Sequence, residues 1–340
     1  MDELVEQGIS TMETKIDIMT DVRSFMKSRV ILTGAELDVF TRLDGNLLTA
    51  SELIGDRNLD ERATTRILDC LVAFKLLEKQ DAKYRTSPKG STLSSRHPES
   101  VLPMVRHMNF IWRNWSRLTA VAQCGRNPDL KPVVDAEPED ERRSFIGAMH
   151  VAARQISMKI ADAFDSRAYK KLLDVGGGSG AYTIAFLKNN PQLSAVVFDL
   201  KNVIPITKEK IREAGIEDRV TFAEGDFYKD PLPEGCDLAL LSAIIHQNSP
   251  DQNLALYQKI FRALRHGGAL LIRDHIMDTT RTQPSAGALF ALNMLVNTPA
   301  GDTYTFGEVK EILESAGFED VEWIVPGEKM DSLVRAVKPV

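Results

Sequence analysis

The stretch "LLDVGGGSGAYT" at 172–183 constrains the fold more than any other part of the chain. An apolar run ends in a glycine-rich turn that opens into helix-compatible sequence. Gly176, Gly178 and Gly180 allow positive φ, so bare backbone at a helix N-terminus can lie against a ligand. The unit then repeats: "LSAVVFDL", "NVIPITKEKIREAG", "RVTFAEGDF", "CDLALLSAI", "DQNLALYQKIFRAL" and "GGALLIRDHIM" alternate strand-like and helix-like character. Short apolar runs without a polar face mark parallel strands buried on both sides, and their alternation with helices marks a doubly wound sheet. The end departs from this. After a helix at "TFGEVKEILESAGF", the strands "EDVEWIVPG" and "SLVRAVKP" lie only a few residues apart. That gap allows a hairpin and no helical crossover, so these last strands are expected to be antiparallel.

The first 165 residues read as mostly helical. Apolar spacing predicts a helix at 28–43, and 48–88 reads as helix, turn, longer helix and short hairpin, the outline of a winged helix. Thr49 or Ser51 can cap the first helix of that outline and Asp60 or Glu61 the next. A Pro- and charge-rich stretch at 127–143 reads as a surface connection ahead of a helix at 144–165. At 340 residues, two folding units are expected. A net charge of −6 argues against nucleic acid or an anionic membrane as the main partner. Cys70, Cys124 and Cys236 are far apart, so neither a disulfide framework nor a zinc knuckle is expected. "MDELVEQGIS" lacks a basic-then-apolar signal pattern, and no apolar run approaches the roughly 20 residues of a membrane span. A cytoplasmic protein is expected.

Two acids narrow the ligand of the glycine loop. The pattern Gly176-x-Gly178-x-x-Ala181 also satisfies a dinucleotide fingerprint, and a tight structural turn would need no ligand at all. Asp199 closes the second strand, 19 residues after Gly180, where a carboxylate can accept from both ribose hydroxyls. Asp226, beside Phe227 in "GDF", follows the third strand, where an acid next to an aromatic suits an adenine amine and ring face. Either acid could instead be a solvated loop residue. An antiparallel finish, with no second mononucleotide-binding half, favours one nucleoside carrying a sulfonium over NAD. That points to S-adenosylmethionine, with S-adenosylhomocysteine as product.

"LLDVGGGSG", "VVFDL", "GDF", "IIH" and "VNTPAGDTYTFGEVKEILESAGF" together resemble the S-adenosylmethionine-dependent class I O-methyltransferases of the caffeic-acid and acetylserotonin type, in a bacterial-like, small-molecule member. The resemblance covers nearly the whole chain. It implies a Rossmann-like, mostly parallel seven-stranded α/β sheet with an antiparallel last strand, preceded by a mainly helical winged-helix dimerisation domain. The implied division is 1–105 for dimerisation, 106–165 for a helical substrate cap and 166–340 for the methyltransferase domain, in a homodimer. It adds Asp174, Leu200 and Ser242 to the cofactor-site candidates Gly176, Gly178, Gly180, Asp199, Asp226 and Phe227. It also implies that Met104, Trp112, Phe145, Met149, Phe290, Asn293 and Met294 lie near an aromatic or polyketide-like acceptor. His150 is a further acceptor candidate.

His246 closes "LLSAIIH", and Asp274 closes the next strand in "LLIRDHI". The first, fourth and fifth strands of such a sheet are central neighbours, and ligands sit beyond their carboxyl ends. That places a histidine, the natural base near neutral pH, beside the nucleoside and an acid beside the histidine. A core histidine at a strand end is the plain alternative. The resemblance favours the base, oriented by Asp274, with no metal. Two departures from the family weaken the surroundings of that base: Gln247 stands where the next residue is usually acidic, and Thr303 stands where a second glutamate is common. Asp302 is adjacent. One acid makes a weaker base than two, suiting an acceptor of already low pKa. His266 reads as solvated and His275 as structural. The rivals are a cofactor-binding homologue performing hydroxylation, decarboxylation or pericyclic chemistry, and a winged-helix DNA regulator. The latter is disfavoured because Arg62, Arg66 and Lys75 face Glu61 and Asp69 across an apolar helix rather than forming a basic stripe.

Overall fold

A computed structural model describes residues 2–130 and 139–340, without the side chains of 2–16, 139–145, 148, 152, 154 and 155. The chain divides into two compact units, Met1–Phe110 and Ile111–Val340. Of the expected connection at 127–143, residues 131–138 lie outside the described residues, and 139–143 already belong to a helix that starts at Glu139.

The first unit opens with α1 (Asp2–Glu36), which stops where Asp38 turns left-handed at φ 54° before α2 (Val39–Leu43). The single helix expected at 28–43 is therefore two, because apolar spacing continues through a backbone break that periodicity does not register. Next come β1 (Leu48–Thr49), α3 (Ala50–Ile54) and α4 (Glu61–Ala73). Thr49 and Glu52 form a capping box on α3, and the Asp60 carboxylate accepts from the Ala63 amide at the start of α4. β2 (Leu77–Gln80), β3 (Lys83–Thr86), α5 (Pro88–Ser91) and the first part of α6 (Leu102–Trp115) complete the unit. The strands form an antiparallel sheet in the order β1-β3-β2 behind the helices, the winged-helix outline. Phe40, Leu43, Leu53, Leu68, Leu71, Leu77 and Tyr84 fill its core.

The second unit runs α7 (Leu118–Cys124), α8 (Glu139–Ala163), β4 (Lys171–Val175), α9 (Ala181–Asn189), β5 (Ser194–Asp199), α10 (Ile204–Glu213), β6 (Val220–Glu224) and β7 (Cys236–Ser242). It continues through α11 (Pro250–Ala263), β8 (Leu264–Asp274), β9 (Ile276–Met277), α12 (Ser285–Asn297), β10 (Tyr304–Thr305), α13 (Phe306–Ser315), β11 (Glu319–Val325) and β12 (Ser332–Val337). Seven strands take the order β11-β12-β8-β7-β4-β5-β6. Pairs from β8 to β6 are parallel, and β12 is antiparallel to both neighbours. Alternate strand residues feed two cores. Val175, Leu241 and Ile272 pack with Tyr257 and Ile260 of α11 and Leu313 of α13. Leu172, Leu240 and Leu271 pack with Ile160 of α8 and Phe186 of α9. Each such buried side chain contributes about 1.5–3 kcal/mol of apolar stabilisation.

The sheet brings the carboxyl ends of β4, β7 and β8 side by side. β7 stops at Ser242 rather than reaching the expected Ile244. Ala243 takes φ 58°, which breaks the ladder, and Ile245–Gln247 form a 3-10 turn that carries His246. Among the described residues, no helix is long and apolar enough to cross a membrane.

Candidate active site

The glycine loop leaves β4 with Gly176, Gly178 and Gly180 all at positive φ. A Cβ on Gly176 would come within 3.0 Å of Ile244 and 3.3 Å of the Phe227 ring, whereas Gly178 has open space at that point. One face of the loop is closed by an aromatic and another is free to receive a ligand. At the end of β5, the Asp199 carboxylate accepts from the Gly178 amide at 2.7 Å and from the Leu200 amide at 2.7 Å. Burial raises its pKa, and those two amides act against the rise. Asp174 lies beneath the loop, only 2% exposed, and accepts from the Thr183 hydroxyl at 2.6 Å. Burial pushes its carboxyl up to about 6. Asp174 therefore props the first turn of α9 from below. Asp226, after β6, accepts from the Tyr228 amide and pairs with Lys229 at 3.1 Å, while the Phe227 and Tyr228 rings meet at 4.6 Å. The Ser242 hydroxyl is buried with no hydrogen-bond partner.

His246 sits on its turn with Nδ1 at 2.9 Å from both carboxylate oxygens of Asp274. Asp274 is fully buried, which raises its pKa, yet the His246 charge and hydrogen bond, the His275 amide and Arg273 outweigh burial and leave it low. An ionised carboxylate only accepts, so Nδ1 must carry the proton. Nε2 is then the basic nitrogen of the neutral ring. The Phe290 ring meets His246 edge-on at 4.9 Å and lies 4.9 Å from the His275 ring. Among the described residues, no second acid joins the pair. Asp302 turns out to Arg281 at 3.5 Å, half-exposed, and Thr303 is buried.

The support of the turn carries residues that sequence reasoning missed. The Asp302 amide donates to the His246 carbonyl at 2.9 Å, and a Cβ on Gly301 would strike that carbonyl at 2.4 Å. Buried Asn248 donates to Asn253 at 2.9 Å, accepts from the Tyr228 hydroxyl, and its carbonyl accepts from the Tyr304 hydroxyl. Asn253 in turn donates to the Ile245 carbonyl at 3.1 Å. Only the packing of β7, α11 and the 298–305 segment makes these polar residues partners; their sequence spacing carries no such signal.

The acceptor candidates scatter more. Phe290, Asn293 and Met294 share α12, and Trp112 lies on the part of α6 that belongs to the second unit. Asn293 accepts from the Trp115 indole at 2.8 Å and from Asn297 at 2.9 Å, so its carbonyl oxygen ties α6 to α12. Met149 is half-buried on α8, and His150 Nδ1 meets the Ser179 hydroxyl at 2.9 Å on the glycine loop. Met104 lies on the stretch of α6 in the first unit. The Phe145 side chain falls outside the described residues. His266 is exposed, with Nδ1 at 3.1 Å from the Pro339 carbonyl. His275 is buried, its pKa pushed by burial down to about 4, with Nδ1 unpartnered.

Comparison with known proteins gives this arrangement a family. Residues 133–319 match the O-methyltransferase domain, and residues 20–96 match the O-methyltransferase dimerisation domain. The chain belongs to the O-methyltransferase family. This methyltransferase is 34% identical over 312 residues to a tetracenomycin polyketide synthesis 8-O-methyl transferase of Streptomyces glaucescens, covering 90% of this chain and 91% of that one. It is 32% identical to the acetylserotonin O-methyltransferase of Bos taurus, covering 91% and 94%. The crystal structure of human N-acetylserotonin methyltransferase in complex with S-adenosylmethionine superposes with a TM-score of 0.82 at 28% identity, over 96% of this chain and 98% of that one. The protein is an enzyme of S-adenosylmethionine-dependent O-methylation. Its own residues fit that cofactor: an open glycine backbone at Gly178, a half-buried Asp199 carboxylate at the loop, an aromatic at Phe227 and an unsatisfied Ser242 hydroxyl. Among the described residues, no group of three His, Cys, Asp or Glu side chains could hold a metal ion.

Proposed function

We propose that the enzyme transfers a methyl group to a hydroxyl of an aromatic or polyketide-like small molecule, with His246 as general base and Asp274 as its orienting partner. The observation that carries this reading is the 2.9 Å contact of His246 Nδ1 with both oxygens of a carboxylate held ionised in the core. Bound S-adenosylmethionine supplies a methyl on a sulfonium, already a strong electrophile. The protein's task is then to remove one proton and align two reactants. Nε2 of His246 takes the acceptor's hydroxyl proton, and Asp274 stabilises the imidazolium that results. Alignment can supply several kcal/mol of the barrier reduction.

Gly176, Gly178 and Gly180 would hold the nucleoside's polar chain. Asp174 would support them, and Asp199 with Leu200 would take the ribose. Asp226 and Phe227 would take the adenine, and Ser242 would contact the amino-acid end. Trp112, Met149, His150, Phe290, Asn293 and Met294 would shape an apolar acceptor slot. A relative named for 3-hydroxy-5-methyl-1-naphthoate, from Streptomyces sahachiroi, supports a fused-ring acceptor, as does the polyketide named for the Streptomyces glaucescens enzyme. We divide the chain functionally at 1–105, 106–165 and 166–340. We place it as a metal-free cytoplasmic homodimer that binds neither nucleic acid nor membrane. Ile18, Met19, Val22, Phe25 and Met26 form an exposed apolar stripe on α1 that a second copy would cover.

Incubation with methyl-labelled cofactor and a panel of phenols tests the reading. Label should reach a phenol oxygen and be lost in His246→Ala, with S-adenosylhomocysteine binding retained. Undiminished transfer in that variant would end the general-base assignment.

A further inference from the structure

Six buried polar side-chain atoms among the described residues have no hydrogen-bond partner, and four of them belong to Tyr182, Ser242, Arg273 and His275. These residues come together at one end of the sheet. Arg273 of β8 and Ser242 of β7 are register partners, so their side chains leave the same face. The Arg273 guanidinium stands 5.5 Å over the ring of Tyr182, the second residue of α9. Arg273 is 5% exposed. The two acids whose pKa its charge lowers are engaged elsewhere: Asp331 with Lys159 at 2.7 Å, and Asp274 with His246 at 2.9 Å. A buried cation without a matched anion is unfavourable, and so is a buried hydroxyl without a partner. Both deficits disappear if one anionic group enters the patch.

Chemistry selects that group. A guanidinium presents parallel N–H donors that match a carboxylate, and the Tyr182 and Ser242 hydroxyls can donate to the same oxygens. Tyr182 stays a donor because burial raises its pKa, with the Arg273 charge and the neighbouring Ser242 hydroxyl countering in part. The patch adjoins the glycine loop, since Tyr182 follows Gly180 by two residues. It also adjoins the proposed acceptor side, since His275 packs on the Phe290 ring that meets His246.

We propose that Arg273, with the hydroxyls of Tyr182 and Ser242, forms a buried carboxylate-binding site. It rests on the methyl-transfer reading only for where ligands lie. The carboxylate can come from the amino-acid tail of the cofactor or from a carboxylated aromatic acceptor, and matched probes separate the two sources. Titration calorimetry on the full-length protein compares S-adenosylhomocysteine with 5′-methylthioadenosine, which lacks the tail, and 3-hydroxy-2-naphthoate with 2-naphthol. In Arg273→Met, one carboxylate-bearing probe should weaken by about tenfold or more while its carboxyl-free counterpart is unchanged. Arg273→Lys should recover part of the loss. The pair that responds identifies the source. Tyr182→Phe and Ser242→Ala should each weaken the same probe by a smaller factor, and they decide the matter if Arg273→Met does not fold. Equal loss for both members of a pair, or no change in either pair, would overturn the site. Binding needs no turnover, so this outcome is independent of whether a methyl group is transferred.

Discussion

At Asp274, a buried carboxylate keeps a low pKa because one imidazole lies against both of its oxygens. Asp274→Asn offers His246 an amide that can donate as well as accept, so Nδ1 is no longer obliged to carry the proton. Methyl-transfer rate should fall by on the order of 10²–10⁴-fold with little change in S-adenosylhomocysteine affinity, measured by single-turnover transfer and calorimetry. Asp174 behaves oppositely, its carboxyl raised from 3.8 to about 6 by burial. A folded-state pKa above the unfolded value gives stability that is complete below about 4 and lost as pH rises through 6. The shift corresponds to about 3 kcal/mol. Asp174→Asn, which never ionises, should therefore gain about that much relative to the wild type between pH 4 and pH 7. Urea unfolding at the two pH values checks this, and a constant gap would contradict it. The sequence makes Asp274 visible through its place at a strand end, and Asp174 only through the family resemblance. It did not show that Asp302 turns to Arg281, because side-chain direction depends on what packs beside it.

Elements were most legible where a strong local rule acts. The strands, the crossover helices and the antiparallel hairpin β11–β12 follow from apolar runs and loop lengths. Breaks are where reading fell short: α1 ends before Asp38 and β7 ends at Ser242, each followed by a non-glycine residue at positive φ. A composition-based pattern runs through such points because the side chains remain apolar. The Ala243 kink is what lifts the His246 turn off the strand, and the Asn248–Asn253–Tyr304 network then fixes the turn. Asn248→Ala should lower the transfer rate more than cofactor affinity, since it loosens the His246 turn and leaves the glycine loop intact. Within that loop, Gly178→Val meets no steric neighbour but requires a branched residue at φ 56°. S-adenosylhomocysteine affinity should fall by about tenfold or more, with circular dichroism unchanged.

For the whole molecule, each unit has its own core, and the dimerisation-domain match at 20–96 covers most of the first. No pattern in the sequence marks which face a second copy would use. The exposed Ile18, Val22 and Phe25 stripe becomes apparent only once burial is known. Val22→Asp with Phe25→Asp should convert a dimer to a monomer in sedimentation analysis, and an unchanged sedimentation coefficient would place the interface elsewhere. Proton removal by His246 is the proposed step that separates base catalysis from alignment alone. The most direct measurement compares wild type and His246→Ala on two acceptors of similar shape, one an ordinary phenol and one ionised at the assay pH. A general base predicts a loss of about 10²–10⁴-fold on the ordinary phenol and a much smaller loss on the ionised one; an equal loss on both would contradict it.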